Sequence, residues 1–247
     1  MCIRDRNLVG GGTFDAITDF DAVTSLDDFG GIVPEGTYDF GGTAGGDTLD
    51  LGGVFSLDLK RHFLTEGFYP SDLFDSRGLI DDITDFDGLT ATEVNAEMLV
   101  RVTQDNPSGS PTYSDFQTFA NGTYKGRGFQ FRAKLTSNDV AQDIKVRQIG
   151  YTASLQRRTE QGNLTASGAG AKAVTFTNPF FVGTSSLLGA NTNLPSVGIN
   201  AQNMASGDYF EVSSISGTGF TVHFKNSSNA SIDRNFTYQA VGFGKGG

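Results

Sequence analysis

The densest set of potential metal ligands is the stretch "DSRGLIDDITDFDG", which carries Asp75, Asp81, Asp82, Asp85 and Asp87. Clustered carboxylate oxygens are what a hard divalent cation takes as ligands, so a calcium loop at Asp81–Asp87 is one reading. The spacing departs from the helix–loop–helix calcium pattern, and no glutamate follows where a bidentate ligand is needed. A solvated acidic loop that keeps the surface soluble is the other reading. Glycoside hydrolysis would need two carboxylates about 5 to 10 Å apart across a cleft. The 28 acidic residues supply an inventory, but no motif singles out a pair. Of the two histidines, His223 alternates with Val222 and Phe224 and should face outward from a strand. His62 follows Lys60 and Arg61 at an expected strand end, and neither histidine lies near a nucleophile-elbow motif. The glycine-rich "SGAGAKAVT" lacks the spacing of a phosphate-cradling loop. The N-x-S/T triplets at Asn121, Asn226 and Asn235 carry no weight without a secretory signal. Cys2 is the single cysteine, which rules out both a disulfide framework and a thiolate metal site. No catalytic, cofactor-binding or metal-ligating residue is therefore assigned, and the chain is expected to be non-enzymatic with no cofactor. Sugar binding on aromatic surfaces remains. There is no Trp, the best stacking residue. Tyr69, Tyr113, Tyr124, Tyr209 and Tyr238 could substitute, though most lie in strand phase and are expected in a core or an interface.

The elements that would position these residues read as strands. Apolar residues alternate with polar ones over short runs, the mark of a half-buried strand. Tyr38 and Phe40 share a phase, as do Phe55, Leu57 and Leu59, and Met98, Val100 and Val102. "RGFQFRAKL" turns Phe129, Phe131, Ala133 and Leu135 inward and Gln130, Arg132 and Lys134 outward. In "DIKVRQIGYTASL" the phase of Ile144 and Val146 slips to that of Ile149, Tyr151, Ala153 and Leu155, which predicts a β-bulge between them. "RRTEQGNLTASGAGA" breaks the pattern with polar and small residues and reads as a linker. Beyond it come Val174 and Phe176, then Val197 and Ile199. A hairpin is then expected, with Phe210 and Val212 on one arm, Gly217 and Gly219 in the turn, and Phe220, Val222 and Phe224 on the other. The closing "DRNFTYQAVGFGKGG" places Phe236, Tyr238 and Ala240 on one face, which should pack against Phe220, Val222 and Phe224. No helical periodicity of useful length occurs.

A chain of 247 residues with 33 Gly and 21 Phe suits an all-β fold of one large or two smaller domains. A net charge of −10 argues against a nucleic-acid partner, which needs a basic stripe. No apolar run approaches the ~20 residues of a membrane span, so membrane insertion is not expected. The opening "MCIRDR" resembles a translated sequencing-adapter remnant, so residues 1–31 are expected to be an artefact plus the remnant of a truncated upstream module. "ITDFDA" at Ile17–Ala22 recurs as "ITDFDG" at Ile83–Gly88, which fits two related modules in tandem or a chance echo. The glycine-rich stop reads as a genuine C-terminus.

Three long segments carry a family resemblance. "LFDSRGLIDDITDFDG", "VNAEMLVRVTQDNPSGSPTYSDFQTFANGTYKGRGFQFRAKLTSNDVAQDIKV" and "GINAQNMASGDYFEVSSISGTGFTVHFKNSSNASIDRNFTYQAVGFG" resemble the C-terminal region of tail-tip and host-specificity (central tail fibre) proteins of tailed bacteriophages. The most specific parts are the F-x-x-G-T-Y-x-x-R-x-F-x-F-R pattern spanning Phe119 to Arg132 and the aromatic ending from Phe220 to Phe243. The last eighty or so residues also resemble H-type lectin modules, small six-stranded sandwiches that commonly trimerise, with Tyr238 where the family usually has another aromatic. Residues from Ile32 to Arg158 resemble jelly-roll sandwiches of the galactose-binding type.

The resemblance implies an all-β chain of two β-sandwich domains. A jelly roll over 32–158, a linker over 159–171 and an H-type-lectin-like sandwich over 172–247 would follow one another. It further implies a virion component acting in host attachment. The partners would be a host surface receptor or glycan, other tail proteins and further copies of the chain in a trimer. Receptor or glycan contact residues stay unassigned. Loops such as Ser71–Thr90 and Gln104–Ser114 would carry specificity. The alternatives are a carbohydrate-binding module of a secreted protein and a tail-associated depolymerase.

Overall fold

The computed structural model describes residues 35–40, 47–68, 91–138, 142–184 and 192–246. The acidic stretch Asp75–Asp87, the Ser71–Thr90 loop, Tyr69, both copies of the hexapeptide echo and residues 1–31 lie outside the described residues. Every element among the described residues is a strand. They run β1 (Glu35–Asp39), β2 (Leu49–Phe68), β3 (Val94–Thr103), β4 (Gln117–Thr118), β5 (Gly122–Ser137) and β6 (Asp143–Ser154) in the first module. The second module continues with β7 (Arg157–Ala166), β8 (Lys172–Thr175), β9 (Ser196–Gln202), β10 (Tyr209–Ser213), β11 (Gly219–Lys225) and β12 (Asn235–Phe243). A short β13 (Lys245–Gly246) ends the described chain. The all-β, sandwich-like architecture expected from the alternation is the one formed.

Strands β1 to β6 and β13 share one antiparallel seven-stranded sheet, in which β2 and β5 are the long organising strands. β5 pairs with β3 along one edge and with β2 and β1 along the rest of its length. β2 passes from β5 to β6 as it proceeds from Leu49 to Phe68. β5 and β6 are not hydrogen-bonded neighbours, yet Phe131 and Tyr151 stack with ring centroids 4.0 Å apart. The sheet therefore folds over on itself, and its inner face encloses Leu57, Leu59, Met98, Val100, Phe119, Phe129 and Phe131. All but Phe119 are inward phases read from the sequence. The predicted bulge is present: Leu64 pairs with Gln148 and Thr65 with Val146, leaving Arg147 as the extra residue. One extra residue moves every later side chain to the opposite face, which is why the apolar phase slips there.

Two expectations need correction. The linker assigned to 159–171 is for the most part strand β7, which pairs with β12 from Arg157 to Ala166. Only Leu155 and Gln156 separate β6 from β7. β7 escapes hydrophobic periodicity because its inward positions are Arg158, Glu160 and Gly162, and two of the three are charged. The second correction concerns His62, which sits inside β2 opposite Gly150 and not at a strand end.

The second module faces two three-stranded sheets, β10-β11-β8 and β7-β12-β9, across one core. The expected hairpin forms, with Phe210 opposite Phe224 and Val212 opposite Val222, while Gly219, expected in its turn, is the first residue of β11. Phe236 and Ala240 are fully buried against Phe220, Val222 and Phe224. Phe224 and Phe236 approach to 5.7 Å and Phe220 and Tyr238 to 5.2 Å between centroids, in the tilted and edge-on geometries that aromatic pairs favour. The two modules meet where adjacent phenylalanines diverge: Phe180 enters the second core and Phe181 the first.

Candidate functional site

Three places gather side chains or space that could act on another molecule. The first is the loop Gln104–Ser114, which leaves β3 and returns to β4. Its tip is exposed, and its base is fixed from several sides. Thr103 Oγ1 donates to the Thr112 carbonyl at 2.8 Å, and the Thr112 N–H donates to Asp105 at 2.9 Å. Arg127 on β5 donates to Asn106 Oδ1 at 2.9 Å, and the Ser114 N–H donates to the Val102 carbonyl at 2.9 Å. The Arg101 guanidinium lies 4.8 Å from the Tyr113 ring and 4.6 Å from that of Phe116, and Arg132 covers the same Phe116 ring at 4.3 Å. Cation–aromatic contacts of this kind, here half-exposed, hold a loop base against the sheet. Arg132 in turn forks onto Asp39 at 2.6 and 2.9 Å, tying β1 to β5.

The second place is the junction of the modules. An open hollow of about 570 Å³ is lined by Leu49, Leu51, Leu57, Leu155, Phe181 and Phe243, with Asn193 at its rim. Beside it, Arg158 donates to the Gly244 carbonyl at 2.7 Å, to the Pro179 carbonyl at 2.9 Å, to the Asn178 carbonyl, and to Glu160 at 3.0 Å. The guanidinium also lies 3.7 Å from the Phe180 ring centroid. Burial opposes ionisation of Glu160. Hydrogen bonds from the Thr177 N–H, the Arg158 guanidinium and the Asn178 N–H outweigh it and hold the carboxyl below its ordinary range. Gly244 adopts φ +90°, a left-handed turn that redirects the chain so that β13 adds to β2. The charged pair ties β7 to the 177–180 segment and to the turn at Gly244, where the chain leaves the second module for β13.

The third place is the outer face of the β7-β12-β9 sheet. Inward phase on β12 belongs to Phe236, Tyr238 and Ala240, so Thr237 and Gln239 face out. Register sets Gln239 between Gln161 and Gly198, and Thr237 opposite Asn200. A cleft of about 440 Å³ lies over these residues.

The histidines do not converge on anything. His223 Nε2 is 2.8 Å from Ser231 Oγ and His62 Nε2 is 2.8 Å from Thr152 Oγ1. Among the described residues no three His, Cys, Asp or Glu side chains come together as metal ligands. The tyrosines proposed as sugar platforms are engaged elsewhere. Tyr113 is 3.2 Å from Thr48 Oγ1, Tyr124 donates to the Ala120 carbonyl at 2.8 Å, and Tyr209 donates to Asn229. Tyr238 lies against the core with its hydroxyl toward Glu160. Asn121 and Asn226 serve as backbone caps, accepting from the N–H groups of Arg61 and of Ser228 and Ala230 respectively.

Sequence reasoning placed the Gln104–Ser114 loop but missed the Arg158–Glu160 clasp and the polar face beside it. The run Arg157 to Gly162 has no apolar residue, so the alternating burial of Arg158, Glu160 and Gly162 leaves no signal for a search based on apolar alternation. Comparison with family models, curated proteins and solved structures finds no match to the chain.

Proposed function

We propose that the chain is a non-enzymatic attachment protein of a phage tail, acting at the tail tip or fibre in host recognition. The observation that supports this most directly is the Gln104–Ser114 loop. Its tip is exposed, while its base is fixed by hydrogen bonds and by arginine–aromatic contacts to β3 and β5. A recognition loop works this way: variable contacts project from a scaffold that loses little freedom on binding. The two resembled families, the jelly-roll and H-type-lectin-like sandwiches, agree with this reading. In a trimer, weak contacts from several copies combine through effective concentration, so no deep pocket is required.

Two measurements test the reading. The first is mass spectrometry of purified virions, to detect the chain or its longer parent. The second is binding of the fluorescently labelled chain to cells of the strain those virions infect. Presence in the tail together with saturable binding to cells is the expected result. Absence from virions together with no binding to cells refutes it. Shortening of a surface polysaccharide on incubation would move the assignment to a depolymerase.

A further inference from the structure

We propose that the apolar hollow beside β2 binds an anionic amphiphile, a free fatty acid whose chain lies in the hollow and whose carboxylate meets Arg157 at its rim. The site is independent of the attachment reading.

The lining sets what can enter. Leu49, Leu51 and Leu57 of β2, Leu155 between β6 and β7, and the rings of Phe181 and Phe243 enclose a space of about 570 Å³. That volume falls in the range typical of small-ligand sites, ~300 to 1,000 Å³. Among the described residues only Ser154 and Asn193 add polar side chains to the lining, and the Asn193 amide already donates to the Phe181 carbonyl. The inner wall is fixed: Leu57 is 1% exposed, and the Phe181 ring meets that of Phe55 edge-on at 5.9 Å. Phe243 differs, at 39% exposed. A hydrocarbon chain laid in the hollow removes this ring and the leucine side chains from water, which is favourable in proportion to the apolar area covered.

Charge at the rim selects the other end of the ligand. Arg157 stands directly opposite Phe243 in the β7–β12 register and two residues beyond Leu155. Residues opposed in an antiparallel pair carry their side chains on the same face, so Arg157 stands beside the Phe243 wall. Arg127, Arg132, Arg147, Arg158 and Arg234 each pair with a carboxylate. Arg157 has no such partner among the described residues. The acidic residues that adjoin the lining along β2 are already engaged. Asp50 accepts from the Gly52 N–H and from Arg127, and Asp58 accepts from Thr123 and Gln156. A guanidinium offers a planar fork of donors that matches a carboxylate. Hydrocarbon walls and an unpaired guanidinium at one edge are together complemented by an alkyl chain that ends in a carboxylate. A neutral lipid would leave Arg157 unpaired, and a sugar would leave the leucines without apolar contact.

The test is isothermal titration calorimetry of the whole 247-residue chain at neutral pH, with decanoate, decan-1-ol and decyltrimethylammonium each kept below its micelle concentration. Decanoate should bind with single-site stoichiometry and acetate should not bind. Decan-1-ol should bind about tenfold or more weakly than decanoate, because it keeps the chain and loses the charge-assisted bonds. R157E should reverse the order of decanoate and decyltrimethylammonium, an exchange that a purely structural arginine would not produce. Ala153 lines the hollow and is exposed, so A153L should weaken decanoate about tenfold or more with near-UV circular dichroism unchanged. If A153L loses its near-UV signal, R157E alone decides. The proposal is overturned if decanoate does not bind, if the alcohol binds as tightly as the carboxylate, if R157E keeps the wild-type order, or if a folded A153L binds as wild type does. Co-sedimentation with phosphatidylglycerol vesicles, with no heat from decanoate, would assign the hollow to a membrane surface and overturn it. A change of oligomeric state in A153L by light scattering, with no decanoate bound by wild type, would assign it to contact between copies and overturn it too.

Discussion

Replacing Arg158 by Ala removes the tie between β7, the 178–180 segment and the Gly244 turn, and its cost can be worked from the contacts. The guanidinium has five N–H donors, and the structure gives it acceptors at Gly244, Glu160, Asn178 and Pro179. The Arg158 and Glu160 side chains are only 17% and 9% exposed. Breaking a buried pair by removing one partner costs about 3 to 5 kcal/mol, because the remaining charge is left uncompensated. Here Glu160 keeps the N–H groups of Thr177 at 2.6 Å and Asn178 at 3.4 Å, which places the loss at the low end, about 3 kcal/mol. For a chain of this size that is a fall in Tm of about 6 to 12 °C. With no Trp present, near-UV circular dichroism of the tyrosines follows the melt, and Tyr238 beside Glu160 reports locally. R158M combined with E160Q should recover much of the loss, since a neutral amide still accepts from the Thr177 N–H and no charge is stranded. The reasoning is refuted if R158A loses less than about 1 kcal/mol, or if the double variant is no more stable than R158A.

Four further outcomes are expected. G162A should lose about 1 to 3 kcal/mol in urea unfolding, because its Cβ meets a Tyr238 ring already held by Phe176 and Phe220, whereas G198A should unfold like wild type. Stability should fall as the pH drops below about 4, measured as the urea midpoint, because folding holds the carboxyls of Asp58, Glu160, Asp208 and Glu211 below their ordinary values. At those positions the unfolded chain binds protons first, so acid draws the equilibrium toward it. The same midpoint should fall above about pH 10, where Tyr151 and Tyr238, both pushed up chiefly by burial, ionise more readily once unfolded. Ending the chain at Arg234 should abolish the near-UV signal of the second module, since β7 and β9 would then share no partner.

The parts of this fold that were legible in the sequence are those where burial is apolar. Phe129, Phe131, Ala133 and Leu135 alternate with polar residues because one face of β5 meets the core and the other does not. The bulge at Arg147 was legible for the same reason, since it shifts an apolar phase. β7 was not legible. Its inner face meets backbone carbonyls and a tyrosine instead of a hydrocarbon core, so charge and glycine satisfy it better than valine would. Partner choice was hidden as well. Alternation tells which side of a strand is buried and nothing about which strand lies next to it, so the seven-stranded sheet that folds over on itself could not be told from two separate sheets. The polar outer face of β7-β12-β9 was not read as a unit because its residues come from three strands whose pairing alternation does not reveal.

The last strand explains how the two modules depend on each other. β12 is the central strand of its sheet, flanked by β7 and β9, so the most aromatic segment near the chain's end has both edges paired. That removes the aggregation hazard an unpaired aromatic strand would present. The exposed edges pass instead to β9, which is short and entered through Pro195, and to β7, whose first residues are Arg157 and Arg158. Short length, proline and positive charge are the devices that keep an edge from recruiting another chain. Beyond β12, the turn at Gly244 carries the backbone to Ser56 of β2, while Arg158 holds the Gly244 carbonyl from below. A single segment thus closes the second core and adds to the first sheet.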